Sequence, residues 1–205
     1  RTKPYTRSLS PGCLFCGSGS WSCLFINNIC NARCFYCPSE QKTADAPGTN
    51  TLTFIHPKDY VGYLDHFGFQ GASISGGEPF MTFERTLSFV AGIKRHFGER
   101  MYVWLYTNGI LAGEDKLKRL KHAGLDEIRF NIGAVDFSLD RVSQAVGVIP
   151  RVTVEIPAVP ERLDLLSRLI LEMNDLGVDF LNLHQIRCTP FNYPKLVSRG
   201  YTFVH

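Results

Sequence analysis

Short apolar runs alternate along this chain with longer stretches in which apolar residues recur every three or four positions. The runs are rich in β-branched and aromatic residues, as in Met101-Tyr-Val-Trp-Leu-Tyr106 and Val152-Thr-Val-Glu-Ile156, and they predict strands at 23–29, 71–75, 101–106, 127–132, 151–156 and 179–186. Helical spacing between them, such as Tyr60, Val61, Leu64 and Phe67, predicts helices at 57–67, 82–96, 113–122, 138–146 and 161–175. Pro57 opens the first of these, and Gly124 and Gly177 stand past the ends of the third and fifth, where glycine ends a helix. Residues 38–55, with Pro47-Gly48 among them, read as a loop. The aromatic-rich segments Tyr60 to Phe69 and Phe80 to Phe89 read as core, and the run from Lys116 to Lys121 as a solvated helix face.

Strands that alternate with helices argue for βαβ units and a parallel sheet. Six such repeats are too few to close an eight-stranded barrel. The expected fold class is therefore α/β: a partial (β/α)6 barrel of the TIM type with an N-terminal cysteine-bearing extension, its chemistry gathered at the carboxyl ends of the strands. The extension covers 1–22, the barrel core 23–188, and 189–205 begin a C-terminal extension. The chain opens on Arg1, and Gly200 to His205 read as a strand just beginning, so a piece of a longer protein is expected.

With 205 residues, 44% hydrophobic and 20% charged, the chain has the makings of one sizeable core. Its net charge of +3 is spread among 22 basic and 19 acidic residues with no long block of one sign, so a nucleic-acid partner is not implied. No apolar stretch is long enough to cross a bilayer, and Arg1 to Tyr5 lack the apolar centre of a signal peptide; a cytoplasmic protein is expected. Seven cysteines in such a chain point to metal or cluster chemistry rather than disulfides, and so to an oxygen-sensitive protein.

Three of those cysteines form the run Cys30-Asn-Ala-Arg-Cys34-Phe-Tyr-Cys37, directly after the first apolar strand. Structural zinc sites usually pair two Cys-x2-Cys knuckles or a cysteine pair with a histidine pair, and disulfide scaffolds belong to short secreted chains. Three thiolates on one loop can hold three irons of a [4Fe–4S] cube, and no fourth cysteine follows closely to hold the last. A second motif, Ser75-Gly76-Gly77-Glu78-Pro79, leaves the next strand; alone it would read as a glycine turn.

Together these two motifs resemble the radical S-adenosylmethionine (SAM) superfamily, over about residues 22–188. The resemblance implies a cluster on Cys30, Cys34 and Cys37 whose open iron takes the amino and carboxylate groups of SAM. Electron transfer then cleaves SAM to a 5′-deoxyadenosyl radical that abstracts hydrogen from a substrate. It further implies that Gly76, Gly77, Glu78 and Pro79 hold the methionine end, with Glu78 on the amine, and that Tyr36 packs near the adenine. Thr107 and Asn108 would line the SAM site, although Asn108-Gly109 also reads as a plain turn. Asn131, with Arg129 beside it on one strand face, would meet the SAM ribose or carboxylate. The family's glycine-containing pattern on the fifth strand is absent from 151–156, where Thr153 and Glu155 share a face. The implied partners are SAM, a reductant such as flavodoxin or ferredoxin, and an unidentified substrate, with glycyl-radical activation and peptide or RNA modification all open. The rival class is a non-catalytic iron–sulfur or zinc protein that carries electrons or binds a partner.

Four cysteines lie outside the triplet. Cys13-Leu-Phe-Cys16-Gly17 reads as a metal-gripping knuckle, and Cys188 ends the sixth strand, so Cys13, Cys16, Cys23 and Cys188 are candidates for a second iron–sulfur cluster or a zinc ion if the N-terminal segment crosses the barrel to its active end. The alternative is that Cys23 is a buried strand residue and Cys188 a lone thiol. His184 reads equally as a core histidine or a site residue, Gln185 equally as a site residue or solvent-facing, and Phe191-Asn-Tyr-Pro194 as a loop anchor rather than the lining of a substrate pocket.

Overall fold

Ser10 starts the first helix, α1 (Pro11–Ser18), in a computed structural model that describes residues 4–43 and 45–202. Its hydroxyl accepts from the Cys13 N–H, Pro11 takes the first helical turn, and Gly19 ends the helix at φ 73°. This corrects the expected knuckle: Ser-Pro and Gly19 are a start and a stop signal, and they set Cys13 and Cys16 three apart on a helix. The chain continues through β1 (Trp21–Phe25), β2 (Asn28–Ile29), β3 (Lys42–Thr43), β4 (Gly48–Thr49), β5 (Leu52–Thr53), α2 (Pro57–His66), β6 (Gly71–Ser75), α3 (Phe83–Phe97), β7 (Tyr102–Thr107), α4 (Glu114–His122), β8 (Glu127–Phe130), α5 (Asp140–Ala145), β9 (Arg151–Pro157), α6 (Leu163–Leu176), β10 (Phe180–His184) and α7 (Tyr193–Val197).

Eight strands form one sheet in the order β10-β9-β8-β7-β6-β1-β4-β5. β1 and β6 to β10 run parallel, each helix crossing back to the next strand, which is the partial α/β barrel expected. The loop expected over 38–55 instead holds β3, which pairs with β2, and the hairpin β4–β5, which extends the sheet past β1. The first strand also stops early, at Phe25 rather than residue 29, because Asn27 turns its side chain into the fold. α7 was not expected. The strand read into the chain's end falls partly on 203–205, outside the described residues, and 201–202 are not strand.

Strand alternation gives the sheet two unlike faces. Leu24, Ile74, Leu105, Ile128 and Val154 point outward and are buried with Tyr60, Leu64, Phe89, Ile93 and Leu117 of the helices. Burying each such side chain contributes about 1.5–3 kcal/mol, so this outer layer is the core of the fold. The inner face carries Trp21, Ser73, Trp104, Arg129 and Thr153 instead. α1 closes its lower end: the Phe15 ring lies 5.9 Å from that of Tyr102, and a Cβ on Gly71 would meet Phe15 at 3.1 Å. Both partners are first residues of their strands, so α1 sits beneath the amino ends. No helix among the described residues is long and apolar enough to cross a membrane.

Candidate functional site

At the opposite, carboxyl end, three loops are tied together by side chains the fold buries. Asn27 is the first tie. Its Nδ2 donates to the Glu78 carbonyl at 3.0 Å and to Thr82 Oγ1 at 2.7 Å, while its Oδ1 accepts from the Ile29 and Gly77 N–H groups at 3.3 and 3.2 Å. The Gly77 and Glu78 N–H groups also donate to the carbonyls of Asn27 and Ile29, at 3.1 and 2.6 Å. The chain after β6 therefore lies flat against residues 27–29. Only glycine fits there: Gly76 has φ 130°, and a Cβ on Gly77 would come within 1.9 Å of the Ile29 carbonyl oxygen.

Glu78 ties this loop to the end of β7. One carboxylate oxygen accepts from the Phe80 N–H at 3.0 Å and Thr107 Oγ1 at 2.8 Å, the other from the Asn108 N–H at 2.7 Å. Burial pushes the Glu78 pKa up, against the pull of these donors. Both oxygens thus face protein donors, where the family resemblance puts the SAM amine.

Asn108 makes the third tie. Its Oδ1 accepts from the Ile110 N–H at 3.0 Å, its Nδ2 donates to Asn31 Oδ1 at 2.7 Å and approaches Cys30 Sγ at 3.6 Å, and Gly109 follows at φ 80°. Thr107-Asn108-Gly109 is thus a turn that also carries Asn108 to the cysteine loop. On the far side, the Tyr36 hydroxyl donates to Asn131 Oδ1 at 3.0 Å, just past β8. A Cβ on Gly133 would strike that hydroxyl at 2.6 Å.

Between these loops lies a cavity of about 330 Å³, lined by Cys30, Cys34, Cys37, Tyr36, Gly76 and Gly77, with Asn108 and Asn131 at its side. Burial raises the pKa of the Cys30 and Cys34 thiols, and the neighbouring thiols of the triplet raise both further. Burial likewise keeps the Tyr36 phenol protonated. Three thiols thus face one cavity across a glycine floor, and the sequence over residues 24–155 matches the Radical SAM superfamily.

The chain belongs to the radical SAM superfamily.

A protein of Methanocaldococcus jannaschii described as a glycyl-radical enzyme activating enzyme is 31% identical over 205 residues, covering 94% of this chain and 54% of its own length. A GTP 3′,8-cyclase of Corynebacterium glutamicum is 29% identical over 149 residues, covering 65% of this chain and 37% of the cyclase. The radical SAM chain thus spans about half, or less, of the curated relatives it matches. Among solved structures, Streptococcus suis SuiB bound to S-adenosylmethionine superposes with a TM-score of 0.64 at 13% identity, over 83% of this chain and 41% of SuiB. Methylornithine synthase gives 0.62 at 15% identity, over 83% and 54%. These two likenesses speak for the fold.

Membership of the superfamily implies a [4Fe–4S] cluster and SAM. Among the described residues no group of three or more His, Cys, Asp or Glu could hold a single metal ion. A cube takes each thiolate on a separate iron, and Cys30, Cys34 and Cys37 line one cavity, as such a cube needs.

Arg129 of this radical SAM protein lines the cavity with Glu155, and its guanidinium is committed to protein partners. Nε donates to Glu127 Oε1 at 2.8 Å, Nη1 to Glu155 Oε2 at 2.7 Å and Nη2 to Ser10 Oγ at 2.9 Å. Thr153 Oγ1 and the Tyr102 hydroxyl complete Glu127, at 2.7 and 3.0 Å. The guanidinium joins barrel floor to α1. His184 is not a core histidine: it is exposed at the end of β10 and lines the cavity with Gln185.

The remaining cysteines do not all come together: Cys16 lies near enough to Cys23 to raise its thiol further, while Cys188 stands apart. Cys13 lies beneath the sheet, its Sγ 3.9 Å from Asn182 Nδ2, and Cys16 is exposed on the same helix. Burial raises the Cys23 thiol to about 11. Cys188 is exposed beyond the carboxyl end of β10, the other end of the barrel from α1. The N-terminal segment does not cross the barrel, as a shared site would have needed.

Two residues that position the site were missed in the sequence. Asn27 had one signal, a polar pair inside an apolar run. Asn192 stood within the segment read as a loop anchor, but nothing pointed to its partner, the cysteine loop, which it reaches from 156 positions away.

Proposed function

We propose that this chain carries the SAM-cleaving part of a radical enzyme, with Cys30, Cys34 and Cys37 holding three irons of a [4Fe–4S] cluster and the main chain at Gly76 and Gly77 receiving the methionine end of SAM. The observation that carries the reading is the opening of all three thiols and both glycines onto one cavity. Bound together, cluster and SAM supply one-electron cleavage of SAM to a 5′-deoxyadenosyl radical. The protein's part is to bind, orient and exclude water. Asn27 and Glu78 brace the glycine loop, so Glu78 serves through the loop it holds. Asn108 offers its amide to the Cys30 sulfur. Tyr36 and Asn131 wall the cavity for the nucleoside.

The substrate reading we favour is activation of a glycyl-radical protein, supported by the identity to the Methanocaldococcus jannaschii relative over 94% of this chain. A reductant such as flavodoxin or ferredoxin, a cytoplasmic setting and oxygen sensitivity belong to the same proposal. A non-catalytic carrier is disfavoured by the family and by the lack of a fourth nearby cysteine. The second centre on Cys13, Cys16, Cys23 and Cys188 is not carried forward, because the barrel stands between α1 and Cys188.

The test is product analysis. Anaerobically reconstituted and reduced protein incubated with SAM should release 5′-deoxyadenosine and methionine in equal amounts, slowly in the absence of substrate. A fully loaded, reduced protein that leaves SAM intact overturns the proposal.

A further inference from the structure

We infer that Asn192 is a positioning residue for the cysteine loop, fixing the main chain on either side of Cys37. The inference rests on the reading of Cys30, Cys34 and Cys37 as cluster ligands. An asparagine directly before a helix ordinarily caps it, its oxygen accepting an N–H of the first turn. Asn192 precedes α7 and makes no such bond. Its side chain is instead completely buried, at 0% exposure, and turned back into the molecule. Nδ2 donates to the Tyr36 carbonyl at 3.1 Å and the Arg187 carbonyl at 2.9 Å, and Oδ1 accepts from the Thr189 N–H at 2.8 Å. Carbonyls only accept and an N–H only donates, so these partners fix which end of the amide is which.

The same segment grips the loop a second time. Thr189 Oγ1 donates to the Pro38 carbonyl at 2.7 Å. The carbonyls of the residues immediately before and after Cys37 are therefore both held from the segment leading into α7. Further along it, the Arg199 guanidinium stacks 4.2 Å from the Phe35 ring, and the Tyr201 ring lies 6.0 Å from it. The cysteine loop needs such supports, since residues 30–41 have no helix or strand of their own. Within the loop the Cys37 N–H reaches the Cys34 carbonyl at 3.2 Å, a single turn bond. Without the Asn192 donors, Tyr36 keeps its hydroxyl bond and its ring contact with Phe35, but the carbonyl before Cys37 is no longer held and the segment leading into α7 grips the loop only through Pro38. A cluster should still assemble on the three thiols, but it should leave more readily.

Iron release tests this. Wild type, Asn192→Ala, Asn192→Asp and Leu196→Ala are reconstituted anaerobically to equal iron content, and transfer of iron to a ferrous chelator is followed. Asn192→Asp keeps an acceptor for Thr189 but turns an acceptor towards the Tyr36 and Arg187 carbonyls. Leu196→Ala removes a buried α7 side chain that makes no bond to the loop. The two Asn192 variants should release iron about tenfold faster than wild type, a difference of about 1.4 kcal/mol. Leu196→Ala should release it at the wild-type rate, and the shift of the reduced cluster's electron paramagnetic resonance on adding SAM should be altered in the Asn192 variants alone. Equal acceleration in Leu196→Ala, or a wild-type rate in Asn192→Asp, overturns the inference by reducing Asn192 to a support for α7. If neither Asn192 variant folds, Thr189→Val removes the Pro38 bond alone and should give a smaller acceleration in the same direction; no acceleration there overturns the inference too. A wild-type protein that takes up no iron sinks the cluster reading and the inference with it.

Discussion

Gly77 is the residue at which sequence and site are most tightly bound. Its missing side chain lets the chain after β6 lie against residues 27–29, and a single methyl group would collide with main chain rather than with a movable side chain. Gly77→Ala should cost about 1–3 kcal/mol in thermal unfolding, the usual penalty for overpacking. It should also abolish SAM binding by calorimetry and, because the collision falls on the main chain of Ile29 next to Cys30, lower the iron content of the reconstituted protein. Asn27→Ala should act on the same loop from below: the Gly77 N–H keeps the Asn27 carbonyl and the Glu78 carbonyl keeps the Met81 N–H, but the side-chain bonds to both and to Thr82 are lost, at about 1–3 kcal/mol measured in denaturant. The glycines were legible in the sequence, since they stand where a strand ends and beside an acidic residue. The role of Asn27 was not, because its bonds to the glycine loop span 50 and 51 positions and a linear pattern records only neighbours.

At the scale of elements, the strands and helices of the barrel could be read because each parallel strand buries a continuous outer face and each helix an amphipathic stripe. α1 could not be read, although its cap was in plain view, because two cysteines at knuckle spacing argued for a metal. Its place beneath the amino ends is fixed by Ser10, which caps the helix and accepts from Arg129 at once. Ser10→Ala should therefore lower stability by about 1 kcal/mol for the cap. In a protein of this size that is roughly 2–4 °C in the melting midpoint. An unchanged midpoint would show α1 to be an appendage. Arg129→Met is the harsher test. It leaves Glu127 fully buried and Glu155 largely so without their cation, and breaking such a pair costs about 3–5 kcal/mol.

The whole molecule divides its work between two ends: a closed floor of α1, Arg129 and two glutamates below, and a cavity ringed by thiols, glycines and amides above. The sequence showed which residues belong to the upper end, while the bonds by which Asn27, Asn108 and Asn192 hold its loops together became visible only in the fold. The account stands or falls on whether that cavity binds cluster and SAM side by side. The direct measurement is the electron paramagnetic resonance spectrum of the reduced, reconstituted protein, recorded with and without SAM, in wild type and in the variant with Cys30, Cys34 and Cys37 all changed to Ala. The account predicts a [4Fe–4S] signal in wild type that shifts when SAM is added, and no such signal in the triple variant. A [4Fe–4S] signal that survives in the triple variant, or one in wild type indifferent to SAM, would contradict it.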